Sequence, residues 1–264
     1  MGALGERRVL VVGASSGIGG SFARQAALDG AELVVTARRG DALDDLVAEA
    51  GRGEAVVADI CDDAQRRALV ARVGEVLGQV DLVLHTVGYA ELGDLADADH
   101  DQWHRTFDAN VVALNQLIRE LLPLMAPGGI VAALSSEAVQ YPRVGLIPYA
   151  ATKAALEASL RGWRLEHPEV RFSVVAVGAT YPTDFGNHFD GDELGRVFGV
   201  WAKQGVIQDR FMDRDEVAGY LVTVFAGALE APGVGVEHLV LRSPSPIMGS
   251  AEESRAYRDA GRDR

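Results

Sequence analysis

Residues 11–22 read VVGASSGIGGSF, and this stretch decides the fold. An apolar run over 9–12 stops at Gly13, and a helical pattern through Phe22 and Leu28 begins a few residues later. Gly13 permits a sharp turn from strand to helix, Gly17 permits close approach of a bulky anion to the backbone, and Gly19 permits tight packing of the helix. Ser15, Ser16 and Ile18 fill the loop between these glycines, where the free N–H groups of a helix start attract negative charge. A tight turn alone needs only one or two glycines. Three of them directly after the first strand indicate a cradle for the pyrophosphate of a dinucleotide.

Working outward, short apolar runs at 33–36, 56–58, 82–84, 130–134, 172–177 and 238–241 alternate with longer stretches of helical spacing, among them 99–122, 149–166 and 214–229. That rhythm predicts an α/β chain with a Rossmann-type, doubly wound, seven-stranded parallel sheet and helices on both faces. The length of 264 residues suits one domain, expected over 1–250, with a charged tail at 251–264. Residues 181–212 break the rhythm with glycines and with Phe185, Phe189, Phe198, Trp201 and Phe211. Two readings fit them: a substrate lid, or two short surface helices tucking aromatics into the core.

Composition removes several classes of function. A net charge of -13 opposes binding to nucleic acid or to an anionic membrane surface, so any phosphate recognition must be local. The single cysteine, Cys61, excludes an internal disulfide framework and a multi-thiolate metal site, which suits a reducing cytoplasm. No signal peptide and no apolar span of about 20 residues is visible, so a cytoplasmic protein is expected. Of the 25 basic residues 23 are Arg, the two lysines being Lys153 and Lys203.

The end of the second strand selects among dinucleotides. An acidic residue there would accept hydrogen bonds from ribose hydroxyls and repel a 2′-phosphate, but Arg38 and Arg39 follow Ala37. A guanidinium pairs well with phosphate, which favours NADP(H) and leaves NAD(H) possible. Asp59, with Ile60 after it, closes the third strand, where it can meet an adenine edge or cap the next helix.

Tyr149 and Lys153 are four residues apart near a helix start marked by Pro148, so they share a helix face. Ser136 ends the preceding strand thirteen residues before Tyr149, and Asn110 lies in the middle of the earlier long helix. With these residues in place the chain resembles the short-chain dehydrogenase/reductase family from about Arg8 to Arg242. The family's TGxxxGIG motif stands here as VGASSGIG, and its Asn-Ser-Tyr-Lys tetrad as Asn110, Ser136, Tyr149 and Lys153. The resemblance implies hydride transfer between a nicotinamide and a carbonyl or alcohol. Tyr149 would act as acid and base, Ser136 would hold the substrate oxygen, Lys153 would bind the nicotinamide ribose, and Asn110 would fix a relaying water. A tyrosine with its usual pKa near 10 needs a neighbouring cation to exchange its proton at neutral pH, and Lys153 and the positive oxidised nicotinamide are expected to draw that pKa down.

Two stretches depart from the family pattern. His85-Thr86-Val87-Gly88 replaces Asn-Asn-Ala-Gly after the fourth strand, where Thr86 and Gly88 would line the cofactor cleft. His85 there reads as a strand-end histidine with ordinary hydrogen bonds, or as a ligand or acid. After the sixth strand VGATYPTDF supplies Gly178, with Thr180 or Thr183 available to the nicotinamide carboxamide.

The leading expectation is an NADP(H)-dependent ketoreductase or alcohol dehydrogenase. A non-catalytic dinucleotide-binding sensor or scaffold, and an NAD-dependent alcohol dehydrogenase, are the alternatives. Glu137, Val139 and Tyr141, together with the aromatic stretch, are expected to line the cleft around an apolar or ring-containing small molecule. Apolar faces on the helices at 99–122 and 149–166 suggest a homodimer or homotetramer.

Overall fold

The structure, a computed structural model, describes residues 2–247. The tail expected at 251–264 and the domain boundary at 250 lie outside the described residues. The strands are β1 Arg8–Val12, β2 Glu32–Ala37, β3 Glu54–Val57, β4 Val80–His85, β5 Met125–Ser136, β6 Arg171–Val177, β7 Thr180–Tyr181, β8 Met212–Asp213 and β9 His238–Leu241. The helices are α1 Gly17–Asp29, α2 Gly40–Ala50, α3 Asp63–Leu77, α4 His100–Phe107, α5 Ala113–Leu121, α6 Ile147–Glu166, α7 Gly191–Gln204 and α8 Arg214–Glu230. Seven strands make one parallel sheet in the order β3-β2-β1-β4-β5-β6-β9, the doubly wound arrangement that the apolar runs predict.

Alternation along each strand divides the core into two layers. Val9 and Val11 face α1, α2 and α8, while Leu10 and Val12 face α3, α5 and α6. Both faces of β1 are therefore buried, which is why it reads as an unbroken apolar run. Phe22 enters the first layer, but Leu28 on the same helix points to solvent. Among the described residues no helix is long and apolar enough to cross a membrane.

Two segments differ from the sequence reading. The helix expected over 99–122 is broken between α4 and α5 by a π-helical turn, Asp108–Val112, that carries the fully buried Asn110. Such a turn inserts a residue into the helix and redirects a side chain. Residues 181–212 are neither irregular throughout nor two short surface helices. The two-residue strands β7 and β8 pair in parallel and bracket the single 14-residue helix α7. Asp190 caps α7, and Val197 and Trp201 pack with Ile207, Leu146 and Tyr149 in a third apolar cluster.

Candidate active site

The chain leaves β1 toward one half of the sheet and β4 toward the other, so a crevice opens at the carboxyl ends of these neighbouring strands. A cavity of about 980 Å³ occupies it. Gly13, Ser15, Ser16, Gly17, Ile18, Gly19, Arg38, Arg39, Asp59, Ile60, Thr86, Gly88, Ser136, Tyr149, Lys153, Gly178, Thr180 and Thr183 all lie on its wall. Of the tetrad and cofactor-binding residues expected from the sequence, Asn110 alone is absent from that wall.

At one end the glycine loop is held close to β4. The Thr86 hydroxyl donates to the carbonyls of Val12 at 2.9 Å and Gly13 at 3.2 Å. A Cβ on Gly19 would stand 2.6 Å from the Gly13 carbonyl oxygen, and Gly13 itself has φ +91°. No side chain caps the first turn of α1, so its N–H groups face the cavity from Ser16, Gly17 and Ile18. Close backbone approach and an uncapped helix start fit a dinucleotide pyrophosphate. Beyond the loop, Arg39 donates to Ser15 Oγ from Nη2 at 2.9 Å and pairs with Asp184 at 2.7 Å. Asp59 is not the helix cap: its carboxylate accepts from Cys61 N, and Asp62 caps α3. That leaves the Asp59 side chain beside Arg38 on the cavity wall.

At the other end α6 presents Tyr149 and Lys153 to the cavity. Lys153 Nζ donates to the Leu134 carbonyl at 2.9 Å and the Val87 carbonyl at 3.3 Å, and it lies 5.8 Å from the centre of the Tyr149 ring. Phe185 packs on that ring at 5.0 Å between centroids. Burial pushes the Tyr149 pKa up to about 12, opposed by the Ser136 hydroxyl and the Arg143 charge. In the protein without a dinucleotide, desolvation thus outweighs the Ser136 hydroxyl and the Arg143 charge. Burial also pushes Lys153 down to about 8, with the Glu157 carboxylate opposing.

With this geometry in view, comparison with known proteins is decisive. The family model for short chain dehydrogenases matches residues 7–193. This chain belongs to the short-chain dehydrogenase family. An oxidoreductase of Mycobacterium tuberculosis is 36% identical over 224 residues, covering 83% of this chain and 86% of the relative. The oxidoreductase YvrD of Bacillus subtilis is 27% identical over 260 residues, covering 91% and 98%. A short chain dehydrogenase of Burkholderia cenocepacia, solved in complex with NADP, superimposes with a TM-score of 0.78 at 26% identity, covering 90% of this chain and 97% of that one.

Several residues of this dehydrogenase stand differently from expectation. The Asn110 amide is committed to protein partners: Oδ1 accepts from Tyr89 N at 2.7 Å, and Nδ2 donates to Tyr89 O at 2.8 Å and Thr152 Oγ1 at 2.9 Å. It braces the loop after β4 against α6. His85 is fully buried, and neither ring nitrogen has a partner, so it makes no ordinary hydrogen bonds. Burial and the Lys153 ammonium push its pKa down to about 3, which leaves it neutral and packed between strands. Among the described residues no cluster of metal-ligating side chains forms. The Thr180 hydroxyl donates to Gly178 O at 3.0 Å, while Thr183 lies over Gly17.

Glu137, Val139 and Tyr141 do not line the cavity; Ala138, Arg143 and Leu146 do. Ser136 Oγ accepts from Ala138 N and starts a tight turn that points Glu137 into the protein. Arg143 and Asp184 are the charged wall residues that sequence reasoning missed. No local pattern marks Arg143, whereas Asp184, next to Thr183, was within reach.

Proposed function

We propose that this short-chain dehydrogenase is an NADP(H)-dependent ketoreductase, with Tyr149 as the acid that protonates the substrate oxygen. One observation carries the reading: a buried tyrosine, with Ser136 and Lys153, closes the end of a cavity whose other end holds a glycine cradle and two arginines. When bound, a nicotinamide dinucleotide supplies or accepts the hydride. At neutral pH Tyr149 keeps its proton and can give it to the carbonyl oxygen as negative charge builds there. Ser136 donates to the same oxygen and fixes its position. The tyrosinate left behind is stabilised by the ammonium of Lys153 below its pKa of about 8. Phe185 lies against Tyr149 and helps to exclude water from the proton transfer.

Preference for NADP(H) rests on Arg38 and Arg39, which directly follow β2 in place of an acidic residue that would receive ribose hydroxyls. The Burkholderia neighbour with NADP supports the same choice. Exposed Phe107, Val112 and Leu165 on the α4–α5 segment and α6 support assembly as a homodimer or homotetramer through these helices. The expected compartment remains the cytoplasm, in line with the lone cysteine.

Titration with NADPH and with NADH, followed by cofactor fluorescence, tests the dinucleotide choice. NADPH should bind more tightly, and equal or tighter binding of NADH removes the phosphate argument. Tyr149→Phe should abolish ketone reduction while leaving NADPH affinity within about twofold, since the phenolic proton acts only on the substrate. Retained turnover rejects Tyr149 as the acid.

A further inference from the structure

The substrate half of the cavity contains a cation that neither the dinucleotide cradle nor the proton donor requires. Arg143 sits in the loop between β5 and α6, its side chain is 11% exposed, and it forms part of the cavity wall. Its guanidinium lies 5.7 Å from the centre of the Trp201 ring. Nη2 donates to Glu137 and, at 3.2 Å, to the Val206 carbonyl. Among the described residues Nη1 makes no hydrogen bond, and Nε is enclosed without a partner.

Charge balance points the same way. Glu137 is buried, and among the described residues it is the carboxylate paired with both Arg143 and Arg242. One anion between two guanidiniums leaves a positive charge over. Arg242 is turned away, stacked on Tyr141 at 4.6 Å and absent from the cavity wall, so Arg143 is the one that meets the cavity. Glu137 is a fixed anchor, because the Gly178 backbone closes over it so tightly that an added Cβ would lie 3.1 Å from Oε2. Trp201 flanks Arg143, the same cavity carries Phe185, Phe189 and Phe198, and among the described residues Glu137 is the one carboxylate that pairs with Arg143. A largely desolvated cation with its Nη1 donor uncommitted on the wall of an apolar cavity is a receptor for an anion, and a carboxylate fits the guanidinium edge.

We infer that the substrates are carbonyl compounds that carry a carboxylate on an aromatic or otherwise apolar body, with the carboxylate held by Arg143. This names the substrate class for the reductase reading above and rests on it. Arg143 and Tyr149 line the same cavity, so carboxylate and carbonyl belong to one small molecule.

The test uses the full chain with NADPH and compares benzoylpropionate and benzoylbutyrate with their primary amides, reading kcat/KM from NADPH absorbance. At least one acid should exceed its amide by about tenfold, the effect of one charge-assisted pair. Arg143→Gln should bring that ratio close to one, and Arg143→Lys, which keeps the charge, should restore part of it. A wild-type ratio near one, or a ratio unchanged in Arg143→Gln, overturns the inference. Because the wild-type ratio needs no variant, a failure of Arg143→Gln to fold leaves the test standing, with Arg143→Lys as the second arm. Binding is read apart from turnover by quenching of tryptophan fluorescence with phenylbutyrate and phenylbutyramide in the presence of NADPH. Preference for the acid without turnover of any ketone keeps the carboxylate site and rejects the reductase reading. Equal binding of acid and amide rejects the carboxylate site whatever the turnover.

Discussion

Replacing Lys153 with Met in the cofactor-free protein should change how stability depends on pH. Lys153 is 2% exposed, and burial lowers its pKa from 10.5 to about 8. Below about pH 8 the ammonium is charged in both folded and unfolded chains, and the cost of burying it is fully present. Between about 8 and 10.5 the unfolded chain still holds the proton that the folded chain has released, so stability rises with pH. At about 1.4 kcal/mol for each factor of ten, the displacement is worth about 3 kcal/mol. Methionine has nothing to titrate. The unfolding free energy of Lys153→Met minus that of the wild type should therefore shrink by about 2–3 kcal/mol between about pH 7 and about pH 10. Losing the Nζ bonds to Leu134 and Val87 offsets the difference by about 1 kcal/mol each, at every pH alike, so the slope is unaffected. Urea unfolding followed by far-UV circular dichroism at a series of pH values measures it. Parallel pH curves for the two proteins would refute the reasoning, because the ammonium would then be as well solvated folded as unfolded.

Gly19→Ala should weaken dinucleotide binding by tenfold or more, about 1.4 kcal/mol, because its Cβ meets the Gly13 carbonyl at 2.6 Å and the loop must open. Unchanged NADPH affinity by calorimetry would show that the loop does not cradle the pyrophosphate. Asp184→Asn should tighten NADPH by no more than about fivefold and leave NADH unaffected, since it frees Arg39 from an exposed ion pair worth about 0–1 kcal/mol. Weaker NADPH binding in that variant would mean that Asp184 positions Arg39 for the phosphate instead of competing with it.

What was legible in the sequence is what is local. The turn at Gly13, the four-residue step from Tyr149 to Lys153 and the unbroken apolar run of β1 are each settled by residues within a few positions of one another. The π-helical turn at Asn110 was not legible, because the apolar spacing of an α-helix and of one with an added residue differ too little to separate. The partners that hold Asn110 on that turn, Tyr89 and Thr152, lie elsewhere in the chain. The pairing within 181–212 escaped for a related reason: β7 and β8 are two residues each, too short for any alternation to be read.

Arg143 shows the limit most clearly. By sequence it is one of 23 arginines in a chain that hardly uses lysine, and it lies in a short loop with no periodicity. Its place in the cavity depends on Glu137, and the net charge around Glu137 depends on Arg242, more than a hundred residues farther along the chain. A positive site in a chain of net charge -13 is thus made by unequal local pairing, two cations to one buried anion, and composition carries no record of it. At the other end Arg39 likewise pairs with a carboxylate from a distant segment, Asp184. If the inferences drawn above hold, both recognition groups are arginines whose partners come from distant segments. The proton donor and its lysine, by contrast, share a single helix. Chemistry that requires a fixed geometry is then written locally, and the selection of ligands is written in tertiary contacts.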